Sequence, residues 1–159
     1  MVSIIQIDTR EKPKAIANIL SQFEDAGIKT IRSKMFVGDY MSLDNPRLVV
    51  DRKQDLSELC QNVCQDHKRF VRELDRAKES GIKVVILVEH NASIKTLEDV
   101  KRWQNPRLKF SPGAITGEKL FKILSTMEDR HKTKFLFCPK SKTGERIIEL
   151  LEAGENDRE

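Results

Sequence analysis

The sequence predicts an α/β domain in which a mixed central sheet is flanked by helices. Short apolar stretches typical of strands alternate along the chain with amphipathic stretches typical of helices. In addition, a long helical pattern is followed directly by the β-branched run 82–88, an order that favours a crossover to a parallel strand. We therefore expect one sheet with parallel and antiparallel strands, covered by helices.

The N-terminal quarter predicts a strand, a helix and a second strand. Residues 2–8 alternate weakly in polarity and indicate a strand that ends in Asp8-Thr9-Arg10-Glu11. Pro13 suits the first turn of a helix, and Gly27 marks its end. The apolar stripe of this helix consists of Ile16, Ile19, Leu20 and Phe23. The alternation in residues 28–36 predicts the second strand.

A β-hairpin is expected next, formed by residues 40–43 and 48–51. The second arm is a short apolar run, which is typical of a buried strand, and it ends in charged residues. We expect the turn at Asn45-Pro46 to fold this arm back beside Gly38-Asp39-Tyr40. The hairpin would therefore bring two distant charged segments together.

Asp39, Asp51 and Lys53 form the candidate site that this hairpin predicts. Side chains alternate along a strand, so Asp51 and Lys53 share one face while Arg52 points to the other. Phosphodiester hydrolysis needs a hard cation, which prefers a few carboxylate oxygens and several waters. We expect Asp39 and Asp51 to bind Mg²⁺ or Mn²⁺, the backbone carbonyl of Arg52 to be a third ligand, and Lys53 to offset phosphate charge. The competing interpretation is a surface hairpin with a salt bridge.

The residues after Lys53 give the strongest helical pattern of the chain, which Gly81 ends. The apolar stripe recurs at three- and four-residue intervals and contains Leu56, Leu59, Cys60, Val63, Cys64, His67, Phe70, Val71, Leu74 and Ala77. Cys60, Cys64 and His67 share a face and suggest zinc, but no fourth ligand is apparent, so core packing is favoured. The odd cysteine count indicates reduced thiols.

The C-terminal half predicts three helices, a strand and an exposed loop. The helices cover residues 97–103, 118–131 and 143–152, the strand covers 135–138, and prolines and glycines mark 105–117 as the loop. Trp103 is interpreted as the anchor of its helix rather than as a base-stacking group. Residues 120–127 and 147–151 form either a dimer surface or intramolecular core. The chain is thus expected to be one domain, 1–153, with a disordered tail, 154–159.

Composition limits the classes of partner and location. The 159 residues are 38% apolar and 34% charged, which is typical of a globular domain. A net charge of +4 suits a polyanionic partner and equally an ordinary soluble protein. The longest apolar run, 84–88, is far too short to cross a membrane, and Asp8 and Arg10 interrupt the N-terminus before a secretory signal could form. We expect an intracellular protein without a membrane partner.

Three sequence blocks resemble the nuclease domain of the XPF-type structure-specific endonucleases, a branch of the restriction-endonuclease-like superfamily. The blocks are Ile7-Asp8-Thr9-Arg10-Glu11, Gly38-Asp39 and Val50-Asp51-Arg52-Lys53, in that order. The resemblance covers residues 2–90 and implies metal-dependent cleavage of branched or flapped DNA. It also implies that the first block forms a second wall of the site, where Asp8 is a further metal ligand, Arg10 contacts phosphate or carboxylate, and Glu11 belongs to the catalytic group.

The sequence departs from this family's pattern at two positions. Asp51 replaces the family's Glu, which shortens the side chain by one methylene and keeps its charge. Ser57 occupies the position of a later acid, with Asp55 and Glu58 nearby. We expect activity to survive these changes, although the missing acid leaves open a catalytically silent DNA-binding partner subunit. A sequence-specific or single-strand-directed nuclease of the same fold is a further alternative.

The tandem helix-hairpin-helix module that usually follows this nuclease domain is not found in the sequence, so we expect a stand-alone version, as in phages and archaea. Its hold on DNA would then come from a homodimer, a partner nuclease subunit or local basic patches. The candidate patches are Lys101-Arg102, Arg107 to Lys109 and Lys140 to Lys142.

Overall fold

The computed structural model describes residues 1–90 and 93–156, in which six strands form a single mixed sheet. The strands are Ile4–Ile7 (β1), Lys29–Arg32 (β2), Tyr40–Ser42 (β3), Asn45–Lys53 (β4), Lys83–Glu89 (β5) and Lys134–Cys138 (β6). Their order in the sheet is β2-β1-β3-β4-β5-β6. The pairs β1–β2, β4–β5 and β5–β6 are parallel, whereas β1–β3 and β3–β4 are antiparallel. The mixed sheet and the parallel crossover into β5 are as predicted.

Five α-helices cover the two faces of the sheet in the described ranges. They are Ala17–Asp25 (α1), Leu56–Cys64 (α2), His67–Glu79 (α3), Gly117–His131 (α4) and Thr143–Asn156 (α5), with short 3-10 helices at Leu97–Arg102, Pro106–Lys109 and Lys140–Lys142. One core lies between the sheet and α2, α3 and α4, and the other lies beneath α1 and α5. No helix among the described residues is long and apolar enough to cross a membrane.

Strand β5 contributes side chains to both cores, which accounts for its continuous β-branched sequence. Val84, Ile86 and Val88 face the core of α2 to α4, and Val85 and Leu87 face the core of α1 and α5. All five side chains are 5% exposed or less. A strand that is covered on both faces needs a continuous apolar run rather than an alternating one.

The hairpin of β3 and β4 is confirmed, but its turn is not at Asn45-Pro46. Ser42 pairs with Asn45, so Asn45 and Pro46 already belong to β4 and only Leu43 and Asp44 form the turn. The pairing of Tyr40 with Val50 then places Asp39 beside Asp51. The expected proximity of the two carboxylates therefore depends on a tighter turn than the sequence suggested.

The single long helix expected over residues 56–77 is wrong, because the structure has two helices there. They are separated at Gln65-Asp66, where the N–H of Asp66 donates to the carbonyl of Gln61 at 3.1 Å, five residues back rather than four. The apolar stripe continues on both sides of the break. Cys60 is buried in the core and Cys64 packs against it, as predicted. Core packing is wrong for His67, which is exposed and whose Nδ1 lies 2.9 Å from the Val63 carbonyl.

The N-terminal elements are shorter than expected. Helix α1 begins at Ala17, so Pro13 lies in the turn that precedes the helix rather than in its first turn. The strand expected over 28–36 is confined to Lys29–Arg32, and the following segment is irregular. These differences move element boundaries without changing the order of the elements.

The end of the chain differs from the expected tail, because α5 continues to Asn156. The Gly154 carbonyl accepts a hydrogen bond from Asn45 Nδ2 at 3.3 Å, and Glu155 forms an ion pair with the N-terminal amine of Met1 at 2.8 Å. These contacts hold residues 154–156 in the helix. Residues 157–159 of the expected tail lie outside the described residues.

The expected loop 105–117 contains the 3-10 helix Pro106–Lys109, and both of its ends, Asn105 and Gly117, are buried. Trp103 is 8% exposed and packs in the core, as an anchor would. Five residues of the two possible dimer segments are 2% exposed or less and belong to this chain's own core: Leu120, Leu124, Met127, Ile147 and Leu151.

We predict that Gly38→Ala destabilises the protein more than Gly27→Ala. Both glycines have positive φ, +76° and +73°, so alanine at either position costs about 1 kcal/mol or more. A Cβ at Gly38 would also lie 2.8 Å from Cγ2 of Val49, whereas nothing lies within 4 Å of a Cβ at Gly27. Urea unfolding measures both free energies, and equal losses would contradict the packing argument.

Candidate active site

The candidate site lies where the ends of β1, β3 and β4 meet. The Asp8 N–H donates to the Asp39 carbonyl at 2.9 Å, and the Asp39 N–H donates to the Val50 carbonyl at 2.9 Å. These bonds extend the sheet by one residue at its edge. They fix the backbone of Asp39 between β1 on one side and β4 on the other.

A cavity of about 290 Å³ opens at this edge of the sheet, and we call it the carboxylate pocket. Its walls are Arg10, Glu11, Gly38, Asp39, Asp51, Arg52, Lys53, Gln54, Glu58, Arg69 and Glu73. Six of the seven predicted site residues are therefore brought together here, and Asp8 stands behind them. Arg69 and Glu73, which come from α3, were not identified as site residues from the sequence.

Asp39 and Asp51 lie opposite each other at the end of the hairpin, and both line the carboxylate pocket. Burial, and then the neighbouring charges of Asp51 and Glu11, raise the pKa of Asp39 well above its usual value. Oδ2 of Asp39 accepts the N–H of Arg52 at 2.8 Å, and Nζ of Lys53 lies 3.5 Å from Oδ1 of Asp51. Repulsion between the two carboxylates therefore adds to the effect of burial on Asp39.

Asp8 is in the opposite situation, because the protein satisfies both of its oxygens. Oδ1 accepts the N–H of Met35 at 2.8 Å, and Oδ2 accepts Nε of Arg10 at 2.6 Å and the N–H of Arg10 at 3.1 Å. Burial alone would raise the pKa of Asp8, but these hydrogen bonds outweigh it and the pKa lies below its usual value. Asp8 is wholly buried and does not line the carboxylate pocket. Its position suits a residue that orients the exposed Arg10.

A buried ionic network lies beneath the pocket. Arg52 points to the α1 and α5 side of β4, where its Nε and Nη2 donate to Glu11 at 2.7 and 2.9 Å. Its Nη1 donates to Glu89 at the end of β5, and the Thr143 hydroxyl donates to Glu89 at 2.7 Å. Glu89 and Thr143 were not predicted to take part, because the sequence links neither of them to Arg52. His90 does not line the pocket.

Ser57, which stands where the family has an acid, does not line the carboxylate pocket. Ser57 lines a different cavity, between α2 and the 105–117 segment. Glu58 lines the carboxylate pocket, where its Oε2 accepts the N–H of Gln54 at 2.7 Å. Asp55 caps α2 by accepting the N–H of Glu58 at 2.8 Å. Of the two nearby acids, therefore, only Glu58 borders the pocket.

The two close carboxylates suit a Mg²⁺ or Mn²⁺ ion. Among the described residues, no group of three or more His, Cys, Asp or Glu side chains is arranged to hold a metal ion. Mg²⁺ does not need such a cage, since it is commonly bound by one or two carboxylates together with waters and substrate phosphates. A cation bound at this pair would offset the repulsion between Asp39 and Asp51, which contributes to the raised pKa of Asp39.

Comparisons with known proteins agree with the sequence resemblance. Residues 7–150 match the family model of the ERCC4 domain. XPF from Aeropyrum pernix is similar in structure, with a TM-score of 0.66 and 19% identity over 96% of this chain and 65% of that chain. The same protein in complex with DNA gives a TM-score of 0.65 and 18% identity over 98% of this chain and 66% of that chain. The chain thus spans just under two thirds of these relatives. No curated protein sequence matches it.

These matches confirm the predicted fold class and the predicted family resemblance. The chain has the mixed α/β fold of the XPF nuclease domain, which is restriction-endonuclease-like.

We predict that Glu89→Ala lowers the free energy of unfolding by about 3–5 kcal/mol, because it removes one partner of a buried guanidinium. Glu149→Ala is the matched control, since Glu149 forms an exposed ion pair with Arg146 at 3.0 Å and should cost less than about 1 kcal/mol. Urea unfolding of both variants checks the difference. If both variants lost less than about 1 kcal/mol of unfolding free energy, the buried Arg52 would not need Glu89 as a counter-ion.

We also predict that the metal-free protein loses stability as the pH rises above about 4, up to the raised pKa of Asp39 in the folded state. The folded state retains the Asp39 proton above the unfolded pKa of about 3.9, so it binds more protons than the unfolded chain in this window. Asp39→Asn removes this contribution, which has a maximal slope of about 1.4 kcal/mol per pH unit. Unfolding curves in EDTA provide the test, and identical pH dependence of the two proteins would refute it.

Proposed function

Since the chain belongs to the ERCC4 domain family, we propose that it is a divalent-metal-dependent endonuclease that cuts DNA at branches, flaps or junctions. The observation that carries this proposal is the pairing of Asp39 with Asp51 beside Lys53 in an open, charged pocket. A solved relative, XPF from Aeropyrum pernix, is described in complex with DNA. We propose that this chain also binds DNA and that it is located inside the cell.

Asp39 and Asp51 would hold the metal ion, with the backbone carbonyl of Arg52 as a further ligand. When bound, Mg²⁺ or Mn²⁺ supplies an activated water and stabilises charge on the phosphate. Lys53 stands beside Asp51, where its ammonium group offsets phosphate charge and holds the attacking water in line. Its Nζ lies 5.5 Å from the centroid of the Phe70 ring, which limits its freedom.

Arg10 would contact the phosphate backbone. Its side chain is 70% exposed while its Nε is held by Asp8, so the rest of the guanidinium is directed into solvent at the pocket wall. We therefore assign Asp8 to the positioning of Arg10 rather than to the metal. Glu11 keeps Arg52 in place beneath the site, and both act through the backbone of β4.

The alternative is a catalytically silent DNA-binding subunit that supports an active partner. The observation that favours it is the small number of carboxylates at the site, since Ser57 replaces an acid of the family and Glu58 is already engaged with Gln54. A homodimer and a complex with another nuclease subunit are both proposals for the working assembly. The same experiment separates the active enzyme from the silent subunit.

We predict that the wild-type protein cuts labelled flap, fork or four-way DNA in the presence of Mg²⁺ or Mn²⁺, and not in EDTA. Asp51→Ala removes a metal ligand and Lys53→Ala removes the ammonium group beside it. Each should lower kcat/KM by at least about 100-fold, the range seen when a residue that stabilises developing charge is removed. Gel analysis of the products with a linear duplex as reference gives the rates.

Asp129→Ala and Lys122→Ala serve as matched controls, because both residues are exposed on α4 and lie outside the carboxylate pocket. They should cut as the wild type does. Wild-type protein that binds branched DNA but cuts nothing with either metal would refute the nuclease and favour the silent subunit. Equal cutting of every substrate would refute the preference for branched DNA.

A further inference from the structure

An exposed aromatic side chain, Phe36, lies two residues before Gly38, which lines the carboxylate pocket. Phe36 is 52% exposed, although its neighbours Met35 and Val37 are 6% and 7% exposed and pack into the core. The ring also borders a small cavity of about 190 Å³ whose walls include Met41 and Val49. The chain therefore fixes this segment on both sides of Phe36 and leaves the ring accessible beside an apolar recess.

Arg76 on α3 holds the ring in place. Its Nη2 donates to the Phe36 carbonyl at 2.6 Å, and its guanidinium carbon lies 4.2 Å from the ring centroid. The N–H of Met35 is bound to Asp8, which anchors the segment to the end of β1. We call this pair the Phe36–Arg76 platform. Because it is already ordered, a ligand that stacks on it loses little additional conformational entropy on the protein side.

Helix α3 connects the platform to the carboxylate pocket. Arg69 and Glu73 line the pocket, and Arg76 follows on the same helical face, about 10 Å further along the axis. Arg69, Arg72 and Arg76 are exposed, and within the described part of the chain none of them forms an ion pair. This face can therefore follow a phosphate backbone away from the pocket.

The predicted basic patch Lys101-Arg102 offers less free charge than this face of α3. Lys101 is paired with Glu98 at 2.6 Å and Arg102 with Asp99 at 2.8 Å. Both pairs neutralise the patch within its own helix. The arginine face of α3 is therefore better suited to hold a DNA strand that enters the pocket.

We propose that the Phe36–Arg76 platform stacks on an unpaired base at the branch point of the DNA. This inference rests on the proposed function and supplies the feature that would distinguish branched DNA from continuous duplex. Aromatic rings and guanidinium planes stack on splayed bases of any sequence, whereas paired bases keep their faces covered by their neighbours. The pocket-lining residues Arg69 and Glu73 lie about 10 Å and about 4.5 Å along the helix axis from Arg76. At about 3.4 Å per nucleotide, the stacked base would lie about one to three nucleotides from the cleaved phosphate.

The test uses flap DNA with 2-aminopurine at successive positions near the branch, bound in EDTA so that no cleavage occurs. Wild-type protein should change the fluorescence most when the probe lies about one to three nucleotides from the cleavage position, because stacking alters 2-aminopurine emission. Phe36→Ala should abolish this change and weaken flap binding about tenfold, while binding of linear duplex stays the same. Phe36→Trp should restore both signals.

Phe110→Ala is the matched control, because Phe110 is 89% exposed and lines neither the pocket nor the recess. It should behave as the wild type. The platform is refuted if Phe36→Ala changes neither affinity, or lowers both affinities by the same factor, in a variant whose thermal unfolding shows that it is folded. Because binding is measured without metal, a wild-type protein that shows the fluorescence change but cuts no DNA would refute the nuclease and leave the platform standing.

Discussion

The buried charge of Arg52 is the constraint on which the rest of the site depends. Arg52 is only 8% exposed, and burying a guanidinium is strongly unfavourable unless its N–H groups are hydrogen-bonded and its charge is paired with counter-ions. Glu11 comes from the end of β1 and Glu89 from the end of β5, and Thr143 at the start of α5 binds Glu89 in turn. One side chain therefore joins segments from both ends of the chain.

This network also determines which side chains reach the carboxylate pocket. Because residues alternate along β4, a buried Arg52 on the α1 and α5 side obliges Asp51 and Lys53 to face the α2 and α3 side. A shift of register by one residue would bury those two charges and expel Arg52. The Arg52 N–H also binds Asp39, so the same residue fixes both carboxylates. The arrangement of side chains in the candidate site therefore follows from pairing one buried cation, Arg52, with its acceptors.

The parts of the fold and site that the sequence predicts are those governed by local rules. Strand alternation and a short hairpin suffice to place Asp39, Asp51 and Lys53 together. Long-range pairing leaves no such signal, which is why Glu89 was not connected with Arg52. The break between α2 and α3 at Gln65-Asp66 was not predicted, because it contains neither glycine nor proline, the residues that usually mark a helix end in sequence. The last turn of α5 was predicted to be a disordered tail, because the contacts that order it come from Met1 and Asn45, which are distant in sequence.

The opposite pKa shifts of Asp8 and Asp39 separate two roles that sequence spacing could not distinguish. At Asp8, Arg10 and backbone N–H groups stabilise the anion, so the protein itself completes the charge balance. At Asp39, burial and the neighbouring acids destabilise the anion, and the hydrogen bond from the Arg52 N–H does not outweigh them. A carboxylate that the protein has already neutralised gains little from a metal ion, whereas one that is held close to a second acid gains much. The opposite directions of the two pKa shifts therefore distinguish Asp8, whose anion the protein stabilises, from Asp39, whose anion it destabilises.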